Sequence, residues 1–295
     1  MKKIVHLFNE SIFLSLLLVA LLFPVSSISG EDREEGIGIL VWTATDKWGG
    51  SPNGVLWRHK SITAAIAMWN EMASEQGWDV THSEDRNFVM SSLDNYDIFV
   101  CNNCVGDIFD TPALENKFER WMAGGGNFLG VHSVLDAEYP VDTTTQVFNN
   151  QGLPNGMNTH SIWPYFSDLI SGAFFDGHPA TQTATVKKVI KHELTSALQA
   201  SESFNDEWYN QLGHPTDDPL VTCLLEVDET TYTGGEEGFH CVTWIKTMPK
   251  GGDVFITGLG HTDEAYRDDR FRTLLINAVV HLCDTCAIDD VSQAR

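Results

Sequence analysis

Residues 253–281 limit the fold more than any other stretch of the chain. Val254-Phe255-Ile256 is a short apolar run with β-branched members, the signature of a buried strand. Phe271, Leu274, Leu275, Ala278, Val279 and Leu282 then recur on one face at helical spacing. Between them lies Gly258-Leu259-Gly260-His261-Thr262-Asp263-Glu264, polar and rich in glycine, where a strand hands over to a helix. In open α/β sheets ligands bind at such handovers, at the carboxyl end of a strand. The first candidate site is therefore His261 with Thr262, Asp263 and Glu264.

The same rhythm runs through the preceding sequence. Residues 36–43 read as a strand and 61–76 as a helix, with Ile62, Ala65, Ile66, Trp69, Met72 and Ala73 on one face and Gly77 as its stop. Strands follow at 78–81 and 96–101. Thr111-Pro112 opens a helix that buries Leu114, Phe118, Trp121 and Met122, and residues 127–131 are the next strand. Strand alternating with helix predicts an α/β fold with a doubly wound, mostly parallel sheet flanked by helices, of flavodoxin-like type. Residues 134–157 form a long Thr/Asn/Gly loop insertion, and loops of that length are commonly functional. Residues 220–227 and 239–245 read as a β-hairpin, after a short helix around Trp163 and a strand at 184–190.

The first 29 residues stand apart. Lys2 and Lys3 precede an apolar stretch, and Ser27-Ile28-Ser29 offers a cleavage site, which together predict a secretory signal peptide and a secreted or periplasmic protein. Residues 30–295 are then one domain, with no later membrane span. Export makes the six cysteines disulfide candidates first. Cys223 and Cys241 flank the Gly234-Gly235 turn, Cys101 and Cys104 sit at a strand end, and Cys283 and Cys286 follow the last helix. Two C-x-x-C pairs also have zinc-ligand spacing, but export and their wide separation favour bridges. A formal charge of −23 argues against nucleic acid and anionic membranes as partners, and leaves neutral small molecules such as sugars.

His132 ends the strand Phe128-Leu129-Gly130-Val131 as the chain enters a turn, with Ser133 after it. A histidine there suits a general base or a metal ligand, or simply a bond to loop backbone. Asp206-Glu207-Trp208-Tyr209 pairs acids with aromatics, a combination suited to sugar hydroxyls and ring faces or to anchoring a loop. Asn103 and Asp107 lie just past another strand end. Asp263 and Glu264 are candidates either to orient His261 or to cap the helix behind it. Neither H-E-x-x-H nor G-x-S-x-G occurs, and Gly124 to Gly130 precedes a strand where a dinucleotide fingerprint would follow one.

These motifs, taken in order, resemble the ThuA-like (trehalose utilisation) domain. The likeness is carried by Trp57-Arg58-His59-Lys60-Ser61-Ile62, Gly124 to Ser133, Trp163-Pro164-Tyr165-Phe166, Gly177-His178-Pro179, Asp206 to Tyr209, Thr231 to Gly235 and the closing Gly258 to Tyr266 run. It spans about residues 36–283. The resemblance implies a class I glutamine amidotransferase-like fold and a role in carbohydrate metabolism. It also draws in His59, ahead of the first helix, and His240, although Cys241 stands where that family often has proline. The elbow that holds a nucleophilic cysteine in amidotransferases holds His132 here, which argues against glutamine hydrolysis.

The expectation is an exported enzyme acting on trehalose, a glycoside or a keto-sugar. His132 and His261 would transfer protons, His59 and Glu207 would position the substrate, and Trp208 and Tyr209 would stack on it. Ser133, Asn103, Asp107, Asp206, His240, Thr262, Asp263 and Glu264 would complete the binding loops. Two alternatives use the same residues: a non-catalytic carbohydrate-binding module, and a metal-dependent hydrolase with His59, His132 and His261 on a divalent ion such as Zn²⁺.

Overall fold

The structure is a computed structural model that describes residues 36–45, 58–138, 163–235 and 238–284. The predicted leader and most of the predicted loop insertion lie outside the described residues. The described residues belong to one compact unit.

Short apolar runs become the central strands. Gly38–Trp42 (β1), Ile98–Asn102 (β3) and Asn127–Val131 (β4) are buried throughout, and Asp253–Thr257 (β9) nearly so. Strands without polar alternation need cover on both faces, and the helices supply it. Leu40, Trp42, Phe99 and Phe128 point into a layer with Pro112–Ala123 (α3), Arg86–Ser92 (α2) and Pro164–Leu169 (α4). Their neighbours Ile39, Val41, Val100 and Leu129 point into the opposite layer with Ile62–Gln76 (α1) and Asp269–Asp284 (α5). Thr111 caps α3 as its sequence predicts, accepting from Leu114 N at 3.3 Å with Pro112 in the first turn.

With Asp79–Ser83 as β2, Gln182–Lys188 as β5, Ser201–Asp206 as β6, Val221–Asp228 as β7 and Phe239–Thr247 as β8, the described residues form one nine-stranded sheet in the order β2-β1-β3-β4-β9-β8-β7-β5-β6. Strands β2, β1, β3, β4 and β9 are mutually parallel. The predicted hairpin, β7 and β8, joins β9 antiparallel, and β5 and β6 extend it antiparallel again. The sheet is thus mixed, with a parallel doubly wound half. Two elements exceed the sequence reading. In α2 only Val89 is buried, and in β6 only Phe204 and Asp206, so neither leaves a hydrophobic pattern. The predicted bridge Cys223–Cys241 ties β7 to β8, and Cys101 pairs with Cys104 at the end of β3. Cys286 lies outside the described residues.

Four antiparallel steps reverse the direction four times, so β6 runs the same way as β9 and ends on the same side of the sheet. In a flat sheet the two would stand about 19 Å apart at the usual strand spacing. Asp206 instead accepts hydrogen bonds from Gly260 N at 2.8 Å and His261 N at 2.9 Å, so the antiparallel half curls over the strand ends. Register shifts in the β7–β8 pairing lie where such bending is accommodated.

Candidate active site at the strand ends

Four side chains singled out by the sequence meet in one place. His132 follows β4, His261 follows β9, Glu207 follows β6 and His59 precedes α1. One ligand atom from each lies within 4.8 Å of those from the other three. His132 is buried and adopts a left-handed backbone, φ 51°. A non-glycine residue held there costs energy and turns the side chain sharply off the strand, as strained functional elbows do. Asn103, at the equivalent end of β3, has φ 56°.

The hydrogen bonds fix the roles of individual atoms. His132 Nδ1 lies 2.9 Å from the carbonyl of Gly258, which can only accept, so Nδ1 carries a proton and Nε2 faces inward. That Nε2 is 3.2 Å from His261 Nδ1 and 3.5 Å from Glu207 Oε2, while His261 Nδ1 and Glu207 Oε2 are 3.0 Å apart. The second carboxylate oxygen of Glu207 meets His178 Nδ1 at 3.0 Å. His59 contacts Ser133 Oγ at 3.3 Å and the Tyr209 hydroxyl at 3.5 Å through its two ring nitrogens. The Tyr209 ring packs on His132 with centroids 4.4 Å apart.

Burial sorts these groups into two layers. His132 is fully enclosed and Glu207 has 9% side-chain exposure, whereas His261 and His178 keep 28% and 26%. Burial would raise the Glu207 carboxyl, but its bonds to His132 and His261 hold it well below the usual carboxylate range. Burial also works against protonated His261, and Glu207 outweighs it, raising the imidazole above its ordinary value. His59 goes the other way: burial and the neighbouring His132 and His261 push it far down, so it is held neutral. Burial, then the charges of Glu207, Asp136 and Asp206, keeps the Tyr209 phenol protonated.

Asp206 is the bracket behind the site. Its carboxylate accepts from the backbone N–H groups of Glu207, Gly260 and His261, which locks two of the four converging residues together. Asn102 and Asn103 reinforce the adjoining wall by donating to the Tyr266 hydroxyl at 2.8 and 2.9 Å, and Asn103 also reaches Ser61.

The remaining predicted site residues lie elsewhere. Trp208 is 1% exposed, with its indole N–H on the carbonyl of Gln182, so it is core packing with no open face for a sugar. His240 belongs to a separate buried network with Glu229 and Tyr232, where burial pulls it down to about 4. Thr262 caps a short turn by accepting from Ala265 N, and Asp263 pairs at 3.7 Å with Arg267 on the surface. Neither Asp263 nor the exposed Glu264 caps α5; Asp268 does, accepting from Arg270 N, because the chain makes one extra turn before the helix begins. Conversely His178, from the Gly177-His178-Pro179 motif and outside the predicted site, is brought into the cluster by Glu207. Two surface grooves avoid these residues, one lying between α1 and α5 and another at Gly124 to Asn127 beneath the opposite strand ends.

Asp107 lies in a second buried acidic patch with Glu138, which is 1% exposed. Burial pushes the Glu138 carboxyl from 4.5 up to about 8, against a bond from Phe109 N at 2.7 Å. The unfolded chain ionises this group above its ordinary value while the fold keeps it neutral. Its contribution is therefore complete below about pH 4.5 and is lost as pH rises toward 8, at up to about 1.4 kcal/mol per unit. Glu138→Gln keeps the acceptor and removes the titration. Its melting temperature is expected to fall less than the parent's between about pH 5 and about pH 8. Equal falls would contradict the assignment.

Residues 39–151 and 149–282 match a family model described as trehalose utilisation. No curated protein matches the chain. A ThuA-like protein from Bacteroides uniformis aligns with TM-score 0.59 at 20% identity, covering 84% of this chain and 93% of its own. One from Parabacteroides merdae gives 0.60 at 15%, with 84% and 90% covered. A cytoplasmic protein from Salmonella typhimurium gives 0.52 at 10%, with 83% and 98% covered. At these identities the structures share the fold and no more.

Proposed function

This chain belongs to the ThuA (trehalose utilisation) family, and from that premise we propose that it is an enzyme acting on a sugar of the trehalose, glycoside or keto-sugar class. The observation that carries the reading is the convergence of His59, His132, His261 and Glu207 from separate loops onto one point. Structural ion pairs do not call for three imidazoles, nor for a histidine held in a left-handed backbone to reach them.

The two layers divide the work. Glu207 orients His261 with one oxygen and His178 with the other, and these two partly exposed rings are the groups a substrate meets. Such a carboxylate-held imidazole donates or removes a proton at a sugar hydroxyl, glycosidic oxygen or carbonyl. Tyr209 and His59, neither charged at neutral pH, line the wall and offer hydrogen bonds to neutral hydroxyls. Glutamine hydrolysis is not proposed, since the elbow residue is His132. Export is proposed on the leader-like first 29 residues and the Cys223–Cys241 and Cys101–Cys104 pairs, which fit an oxidising compartment.

The test is to incubate the mature chain with trehalose, aryl glycosides and their keto derivatives and to follow products by NMR. Consumption of at least one is the expected result. Binding without consumption of any would instead favour a carbohydrate-binding module.

A further inference from the structure

We propose that the same cluster binds a divalent transition-metal ion of the zinc class, with His132 Nε2, His261 Nδ1 and Glu207 Oε2 as ligands and His59 on the remaining side. The spacing fits such an ion. Zinc–ligand bonds of about 2.1 Å in a tetrahedron place the donor atoms about 3.4 Å apart. The three donors here stand 3.0, 3.2 and 3.5 Å from one another. They already have the edges of such a site, with the fourth side left to His59, water or a sugar oxygen.

The ring orientations fit as well. A ligating imidazole is normally fixed by a bond from its other nitrogen, which sets the tautomer. His132 has that bond, Nδ1–H to the Gly258 carbonyl, which turns its Nε2 toward the Glu207 oxygen 3.5 Å away. Glu207 is itself held from outside the triangle by His178 on Oε1, leaving Oε2 to the centre. Asp206 holds the backbone of Glu207 and His261 together without entering the donor set. Two nitrogens and one carboxylate oxygen suit zinc, cobalt or iron better than magnesium or calcium.

An ion there acts as a Lewis acid on an oxygen entering beside His59, and the proton-transferring role passes to His178. The inference rests on reading the cluster as the reactive centre, but its test needs no sugar. The mature chain is stripped with chelator and titrated with Co²⁺, following the visible absorption of a low-symmetry site, and metal content after Zn²⁺ loading is measured in parallel. One equivalent is expected. Affinity is expected to fall about 100-fold or more in Glu207→Gln, which is nearly isosteric, and in His132→Ala, while Glu71→Gln on the α1 surface binds as the parent does. Absence of stoichiometric uptake, or uptake unchanged in Glu207→Gln, overturns the metal site. Sugar turnover by the chelated protein overturns the ion's Lewis-acid role, yet leaves the enzymatic reading standing. Stoichiometric metal without turnover of any sugar does the reverse.

Discussion

His132→Ala is expected to lose sugar turnover by about 10²–10⁴-fold, the usual effect of removing a group that moves protons or holds an ion at a reactive centre. The loss follows from position. His132 is the buried member that touches both His261 and Glu207, so its removal leaves the Glu207 oxygen facing a void and frees His261 to turn. Alanine keeps the Cβ and so does not relieve the left-handed backbone, and the lost ring contacts are expected to lower stability as well. The check is kcat/KM for the sugar that the parent consumes, beside thermal unfolding of both proteins. A variant that retains parental turnover would remove the cluster from the chemistry.

Asp206→Ala is expected to be the most destabilising single change at the site. Three backbone N–H groups lose their acceptor, those of Glu207, Gly260 and His261. An unsatisfied buried donor costs about 1–3 kcal/mol, so a total of about 3–5 kcal/mol is expected after local relaxation. That corresponds to a melting temperature lower by on the order of 10 °C. Asp206→Asn discriminates the cause. Its amide retains one accepting oxygen but turns an NH₂ toward a donor, so it should cost less than alanine and more than nothing. Equal and small effects in both variants would mean that the carboxylate is not bracketing the loops.

The parallel half of the fold was readable because β1, β3, β4 and β9 are buried on both faces, leaving uninterrupted apolar runs that tolerate one reading. β6 was not readable: it is an edge strand with only Phe204 and Asp206 buried, so it leaves no hydrophobic pattern. The site divides along the same line. His132 and His261 announce themselves as polar residues at the carboxyl ends of buried strands. His178 does not, because its role depends on Glu207 arriving from another loop. Trp208 misleads for a local reason: neighbours on extended chain face opposite ways, so Glu207 and Tyr209 enter the site while Trp208 enters the core. The capping role given to Asp263 or Glu264 failed because nothing in that stretch signals the extra turn from Ala265 to Arg267 before α5.

The most direct test of the central claim is histidine modification with diethyl pyrocarbonate, read residue by residue by mass spectrometry, with and without trehalose or whichever sugar is consumed. His261 and His178 have 28% and 26% side-chain exposure, and His281, on the far part of α5, has 26% and serves as an internal control of equal accessibility. The sugar is expected to protect His261 and His178 and to leave His281 reacting as before. Protection absent from His261 and His178, or shared equally by His281, would place sugar binding away from the cluster and contradict the account.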